Sequence, residues 1–202
     1  MRDLLAYFST HLRSDDQIFP RRELQRLQRV AVHQHVLGAG VFEYGQAFAR
    51  ALIQADVFFS PDRNLIVCEQ DVTPFAEAVD SLLDCTHEWC VQAYLLYPES
   101  TGLEYPVYAH RNGKGQEWIL SGEQFARYGS LGLAKFGPSA QLMLRFELDR
   151  LRRSPWTSLA ETVSEILQAS YLQVHVHWPE VPHMHGMAEW NRKADAKGVR
   201  CP

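Results

Sequence analysis

Apolar positions in this chain fall alternately into short unbroken runs and into stripes at helical spacing. Leu4 to Phe8 is a continuous apolar run, and Val30-Ala31-Val32 is a second one after a stretch rich in Arg and Gln. Such runs predict strands buried on both faces. From Phe42 to Ile53 the positions Phe42, Ala49, Leu52 and Ile53 fit one helix face, with Gly45 weakening the first turn. The clearest strand is Leu65-Ile66-Val67-Cys68. Pro61-Asp62-Arg63-Asn64 precedes it and Glu69-Gln70-Asp71 follows it, the signature of a central parallel strand. Thr73 then reads as an N-cap with Pro74 in the first turn, and Phe75, Val79, Leu82 and Leu83 recur at i, i+4, i+7 and i+8. Strand, helix, strand, helix predicts an α/β sheet.

The second half is less regular. Val91 to Leu96 and Trp118 to Leu120 read as strands, separated by a long loop carrying Gly102, Gly113 and Gly115. Ser121 and Gln124 suit a capping box. Pro138 opens a helix carrying Leu144, Leu148 and Leu151, and Leu159, Val163, Ile166 and Leu167 form another stripe. In the last strand Leu172, Val174 and Val176 alternate with Gln173, His175 and His177, so one face presents two imidazoles, and Trp178-Pro179 is expected to end it. With no repeat or linker, residues 1–190 are expected to form one α/β domain, followed by a polar tail over 191–202.

Composition narrows the function. A hydrophobic share of 46% with 22% charged residues is globular. The net charge of −4 and pI near 6.1 argue against an electrostatic nucleic-acid binder. No apolar run approaches the ~20 residues of a membrane span, and Met1-Arg2-Asp3 does not open a secretory signal; a cytoplasmic protein is expected. Four cysteines are too few for a disulfide framework. Cys85 and Cys90 are the one close pair, a weak zinc signal that reads first as buried or half-buried thiols flanking Trp89, while Cys68 belongs to the core.

Two groups of residues could carry chemistry. Glu69-Gln70-Asp71 stands past the carboxyl end of a buried strand, where open α/β sheets bind ligands. Two carboxylates one residue apart can share a hard divalent cation, which in turn neutralises a diphosphate. Four of the nine histidines, His175, His177, His183 and His185, fall in one short segment near the end of the chain. Neutral imidazole is a common metal ligand.

Several blocks together resemble a known family. They are Leu65 to Pro74, Leu83-Asp84-Cys85 with Trp89-Cys90, Leu131 to Phe136, and Trp178-Pro179-Glu180-Val181-Pro182-His183-Met184-His185. In order and spacing they are similar to small GT-A-fold glycosyltransferases, family-2-like members of bacteria and phages in which an EQD segment takes the place of DxD. The resemblance covers roughly the last two-thirds of the chain and implies a GT-A-like, mostly parallel sheet flanked by helices. It implies that Asp71 binds Mn2+ or Mg2+ bridging the diphosphate of a nucleotide-sugar donor, that Glu69 faces the ribose or the metal, and that His183 or His185 completes the coordination. By the same resemblance Gln70 belongs to the donor site, and Gly132 to Phe136 shapes the sugar and acceptor pocket. Lys135, or Arg111 and Lys114, would meet phosphate charge. An inverting transferase also needs a carboxylate to deprotonate the acceptor hydroxyl; residues 129–141 contain none, and Glu123 is the nearest candidate.

Two other classes compete. One is a metal-dependent hydrolase or oxygenase built around His175-x-His177 with Glu180, as in cupin-like all-β barrels. The other is a non-catalytic binding domain on the same sheet.

Overall fold

Seven strands in the order β2-β1-β3-β8-β4-β9-β7 form one sheet in the computed structural model, which describes residues 2–10, 22–38, 40–59, 62–70, 72–94, 110–112, 115–117, 125–126 and 128–181. In chain order the sheet strands are β1 (Asp3–Thr10), β2 (Val30–Leu37), β3 (Leu65–Glu69), β4 (Trp89–Tyr94), β7 (Phe125–Ala126), β8 (Leu133–Phe136) and β9 (Val174–Val181). A separate hairpin pairs β5 (His110–Asn112) with β6 (Gly115–Glu117). The helices are α1 (Glu43–Gln54, continued by a π-helical turn over Ala55–Phe59), α2 (Ala76–Asp84), α3 (Pro138–Phe146), α4 (Leu148–Arg152) and α5 (Leu159–Ala169). β1, β2, β3, β4 and β9 all run one way, and β8 and β7 run against them. The fold is therefore α/β with a mostly parallel, GT-A-like (Rossmann-like) sheet.

The apolar runs are continuous because the sheet is covered on both faces. Along β1, Leu4, Ala6 and Phe8 pack with α1, α3, α4 and α5, while Leu5 and Tyr7 pack with α2 and Leu24. β3 alternates likewise: Leu65 and Val67 face the α1 layer, Ile66 and Cys68 the α2 layer. All four are fully buried, and each such side chain contributes ~1.5–3 kcal/mol of burial. An acid at Val67 would break this centre. These helices rule out a cupin-like all-β barrel.

Several expectations need correction. α2 starts at Ala76 with Phe75 as its N-cap residue, not at Thr73-Pro74. The residue before a proline favours extended backbone, and Val72 and Thr73 are buried ahead of a turn in which Phe75 N–H donates to the Thr73 carbonyl at 3.1 Å. β9 does not stop at Trp178-Pro179 but runs to Val181. Its pairing with β4 shifts register between Gln92 and Tyr94, and such a bulge accommodates a proline that cannot donate to the ladder. The Leu144-Leu148-Leu151 stripe is two helices, broken at Glu147. Leu133–Phe136, expected only as a pocket-shaping segment, is an inner antiparallel strand between β3 and β4. The Trp118–Leu120 strand and the Ser121–Gln124 capping box lie outside the described residues.

Candidate functional site

The chain passes from β1 to β2 on one side, then crosses back through α1 to place β3 on the other side of β1. The strand order thus reverses between β1 and β3, and the carboxyl ends of such a pair are where open α/β sheets bind ligands. Glu69 is the last residue of β3, in register with Phe8 near the end of β1. By the alternation of β3 its side chain points to the α1 layer, where Tyr44 in the first turn of α1 donates a 2.6 Å hydrogen bond to Glu69 Oε1. The Tyr44 ring is itself set against Phe8, 5.0 Å between centroids.

The backbone beyond Glu69 is equally constrained. Glu69 N–H donates to the Gly132 carbonyl at 2.8 Å, and Val72 N–H returns to the Glu69 carbonyl at 3.1 Å, closing a turn around positions 70 and 71. Tyr7 OH donates to the Gln70 carbonyl at 3.2 Å. Glu69 and Gln70 are both half-buried. The turn is held from β8 on one side and β1 on the other. Asp71 lies outside the described residues, as do Glu123, His183 and His185. On the neighbouring strand β2, His35 stacks on Phe8 at 5.1 Å. Burial, with His33 and Arg50 nearby, pushes its imidazole down to about 4.

Lys135 is placed elsewhere. It pairs across the ladder with Ile66 and with Cys90, so it points into the α2 layer, three residues before Glu69 along β3. It is buried, and its Nζ donates to the Cys85 carbonyl at 2.6 Å.

Around it is a group that the sequence showed only in pieces. Cys85 follows the end of α2, Cys90 is the second residue of β4, and the parallel pairing of β4 with β9 sets Cys90 opposite His175. One ligand atom from each of Cys85, Cys90, His175 and His177 lies within 4.8 Å of all the others. His175 Nδ1 is 3.4 Å from Cys85 Sγ and 3.1 Å from His177 Nε2. Ser81 Oγ is 2.8 Å from His177 Nδ1. His87 stacks on His175 at 4.3 Å, with its Nδ1 3.3 Å from Cys85 Sγ. Burial lowers His175, and burial together with His175 itself brings His177 down to about 4. The buried Cys90 thiol is pushed up to about 12, opposed by the nearby Lys135 charge. The thiols are buried and half-buried, as expected, but they face the two imidazoles rather than merely flanking Trp89.

The fold and its carboxyl edge define an α/β protein of GT-A-like architecture with an acid-bearing turn at the strand-order reversal. No protein family and no curated protein matches the chain. Among solved structures it is similar to the protein A197 from STIV, at TM-score 0.51 and 16% identity over 88% of this chain and 82% of that one. It also matches 4-diphosphocytidyl-2C-methyl-D-erythritol synthase from Anaerococcus prevotii DSM 20548, at TM-score 0.46 and 9% identity over 87% and 88% of the two chains. The likeness to A197 is one of fold. Among the described residues no helix is long and apolar enough to cross a membrane.

Proposed function

We propose that the protein is a glycosyltransferase-like enzyme that binds a nucleotide-sugar through a divalent cation and transfers the sugar to an acceptor. The observation that supports this most is the position of Glu69: a carboxylate oriented by Tyr44 at the β1/β3 reversal, at the head of the turn carrying Asp71. In this reading Asp71 and His183 or His185 hold Mn2+ or Mg2+, and Glu69 and Gln70 contact the donor. Breaking the sugar–phosphate bond builds negative charge on the departing diphosphate, and a cation held there would supply the electrostatic stabilisation of that charge, on the order of several kcal/mol. Tyr44 keeps the Glu69 carboxylate fixed without reorganisation during the reaction. Glu123 is the proposed base that takes the acceptor's proton.

A panel of nucleotide-sugars with manganese or magnesium tests this by thermal shift and by release of nucleoside diphosphate. A cognate donor at 100 times its dissociation constant adds ~2.7 kcal/mol of stability. Asp71→Asn is expected to abolish that metal-dependent gain and leave the unliganded melting temperature nearly unchanged. A wild-type protein indifferent to every donor, or an Asp71→Asn variant with full donor affinity, overturns the proposal.

A further inference from the structure

We propose that Cys85, Cys90, His175 and His177 form a structural zinc site that fastens β9 to the connection between α2 and β4. This site is independent of the cation at the carboxyl edge. It lies in the α2 layer, whereas Glu69 points into the α1 layer on the opposite face of the sheet. Its donor set is also of the other chemical kind, since two sulfurs and two imidazole nitrogens select zinc while magnesium and manganese prefer oxygen.

The geometry fits the ion. Tetrahedral zinc, with Zn–S about 2.3 Å and Zn–N about 2.05 Å, sets its donors roughly 3.3 Å apart for N···N, 3.6 Å for S···N and 3.8 Å for S···S. Here the two imidazole nitrogens are 3.1 Å apart, Cys85 Sγ is 3.4 Å from His175 Nδ1, and all four donors lie within 4.8 Å. Four protein donors fill a tetrahedron and leave no open position, which makes the site structural rather than catalytic.

One surrounding group suits the same ion. Ser81 Oγ sits 2.8 Å from His177 Nδ1, where it can accept the ring N–H, and in that tautomer the Nε2 lone pair is left for the ion.

The benefit falls at one end of the sheet. Among the described residues only the two-residue β7 lies beyond β9 in the sheet, and zinc would tie β9 directly to β4 and to the end of α2.

Metal analysis of the full chain, purified reduced and without chelator, is the test. One zinc per chain is expected, and cobalt in its place should give the intense visible bands of tetrahedral coordination with thiolate charge transfer. Cys90→Ser and His177→Ala each lower zinc content roughly tenfold or more. Ser81→Ala weakens zinc affinity about 10- to 100-fold. Asp71→Asn keeps its full zinc complement even where it loses donor binding, which separates failure of this site from failure of the proposed transferase. If a ligand variant does not fold, the cobalt spectrum of the wild-type chain decides. Reduced wild-type protein that retains no zinc after incubation with excess metal overturns the proposal. So does an octahedral cobalt spectrum, or recovery of Cys85 and Cys90 as a disulfide.

Discussion

Gly45→Ala should destabilise the protein, although helix propensity alone says the opposite. Gly45 lies in the first turns of α1, where alanine is better than glycine by ~1 kcal/mol. A Cβ added there would stand 2.2 Å from the Leu151 carbonyl oxygen and 2.9 Å from that of Ser154, whereas real Cβ contacts stay beyond about 3.0 Å. Both obstacles are backbone atoms and cannot swing aside. α1 and α4 would have to separate by close to an ångström, against a layer in which Ala47, Phe48, Ala51 and Leu52 are fully buried. Overpacking of this kind costs about 1–3 kcal/mol. After the propensity gain the expected net loss is up to about 2 kcal/mol, with a fall of ~2–4 °C in Tm per kcal/mol for a chain of this size. Tyr44 is the preceding residue, so the same displacement loosens its grip on Glu69. Urea denaturation should show a lower midpoint with an unchanged slope. A higher midpoint for Gly45→Ala would refute the reasoning, because propensity would then have outweighed the contact.

Three further outcomes follow from single interactions. Tyr44→Phe removes the donor to Glu69; by calorimetry the dissociation constant for a nucleotide-sugar should rise about fivefold, equivalent to ~1 kcal/mol, and an unchanged constant would detach Tyr44 from the donor site. Glu88 Oε2 accepts from the Ser139 and Ala140 N–H groups at 2.7 and 3.3 Å and so caps α3 from a distant loop; Glu88→Ala should cost about 1 kcal/mol in denaturant titrations. His35 is held near 4 against an ordinary value of 6.5, so the unfolded chain binds the proton first as pH falls. Its contribution is intact above pH 6.5 and is lost progressively between 6.5 and 4, up to about 3 kcal/mol. Stability measured across that window should fall less steeply for His35→Gln, and identical slopes would exclude His35 as the cause.

Much of the fold was legible because periodicity reports burial. β1, β3 and α5 each carry a pattern that their observed element satisfies, while of the α1 stripe Ala49 and Leu52 are buried and Phe42 is left exposed at the N-cap; the alternation of β9 shows in advance that His175 and His177 share a face. β8 was not legible. Four residues after Gly132 are too few to display a period, and an antiparallel strand between two parallel ones is identified by its partners, Cys68 and Val91 among them.

The candidate sites divide in the same way. Local chemistry alone put a carboxylate at the end of β3, since a continuous apolar run ending in Glu69 dictates where the strand leaves the core. That Tyr44 orients this carboxylate depends on the α1 crossover, which brings together residues 25 positions apart. The Cys/His group is more dependent still. Cys85 and Cys90 are one modest pair and His175 and His177 another, and each admits an ordinary core reading in isolation. Only the parallel register that sets Cys90 beside His175, some 85 residues away along the chain, brings them within ligating range. Backbone hydrogen bonds choose that register, and the ladder obeys burial over the whole sheet rather than any local signal.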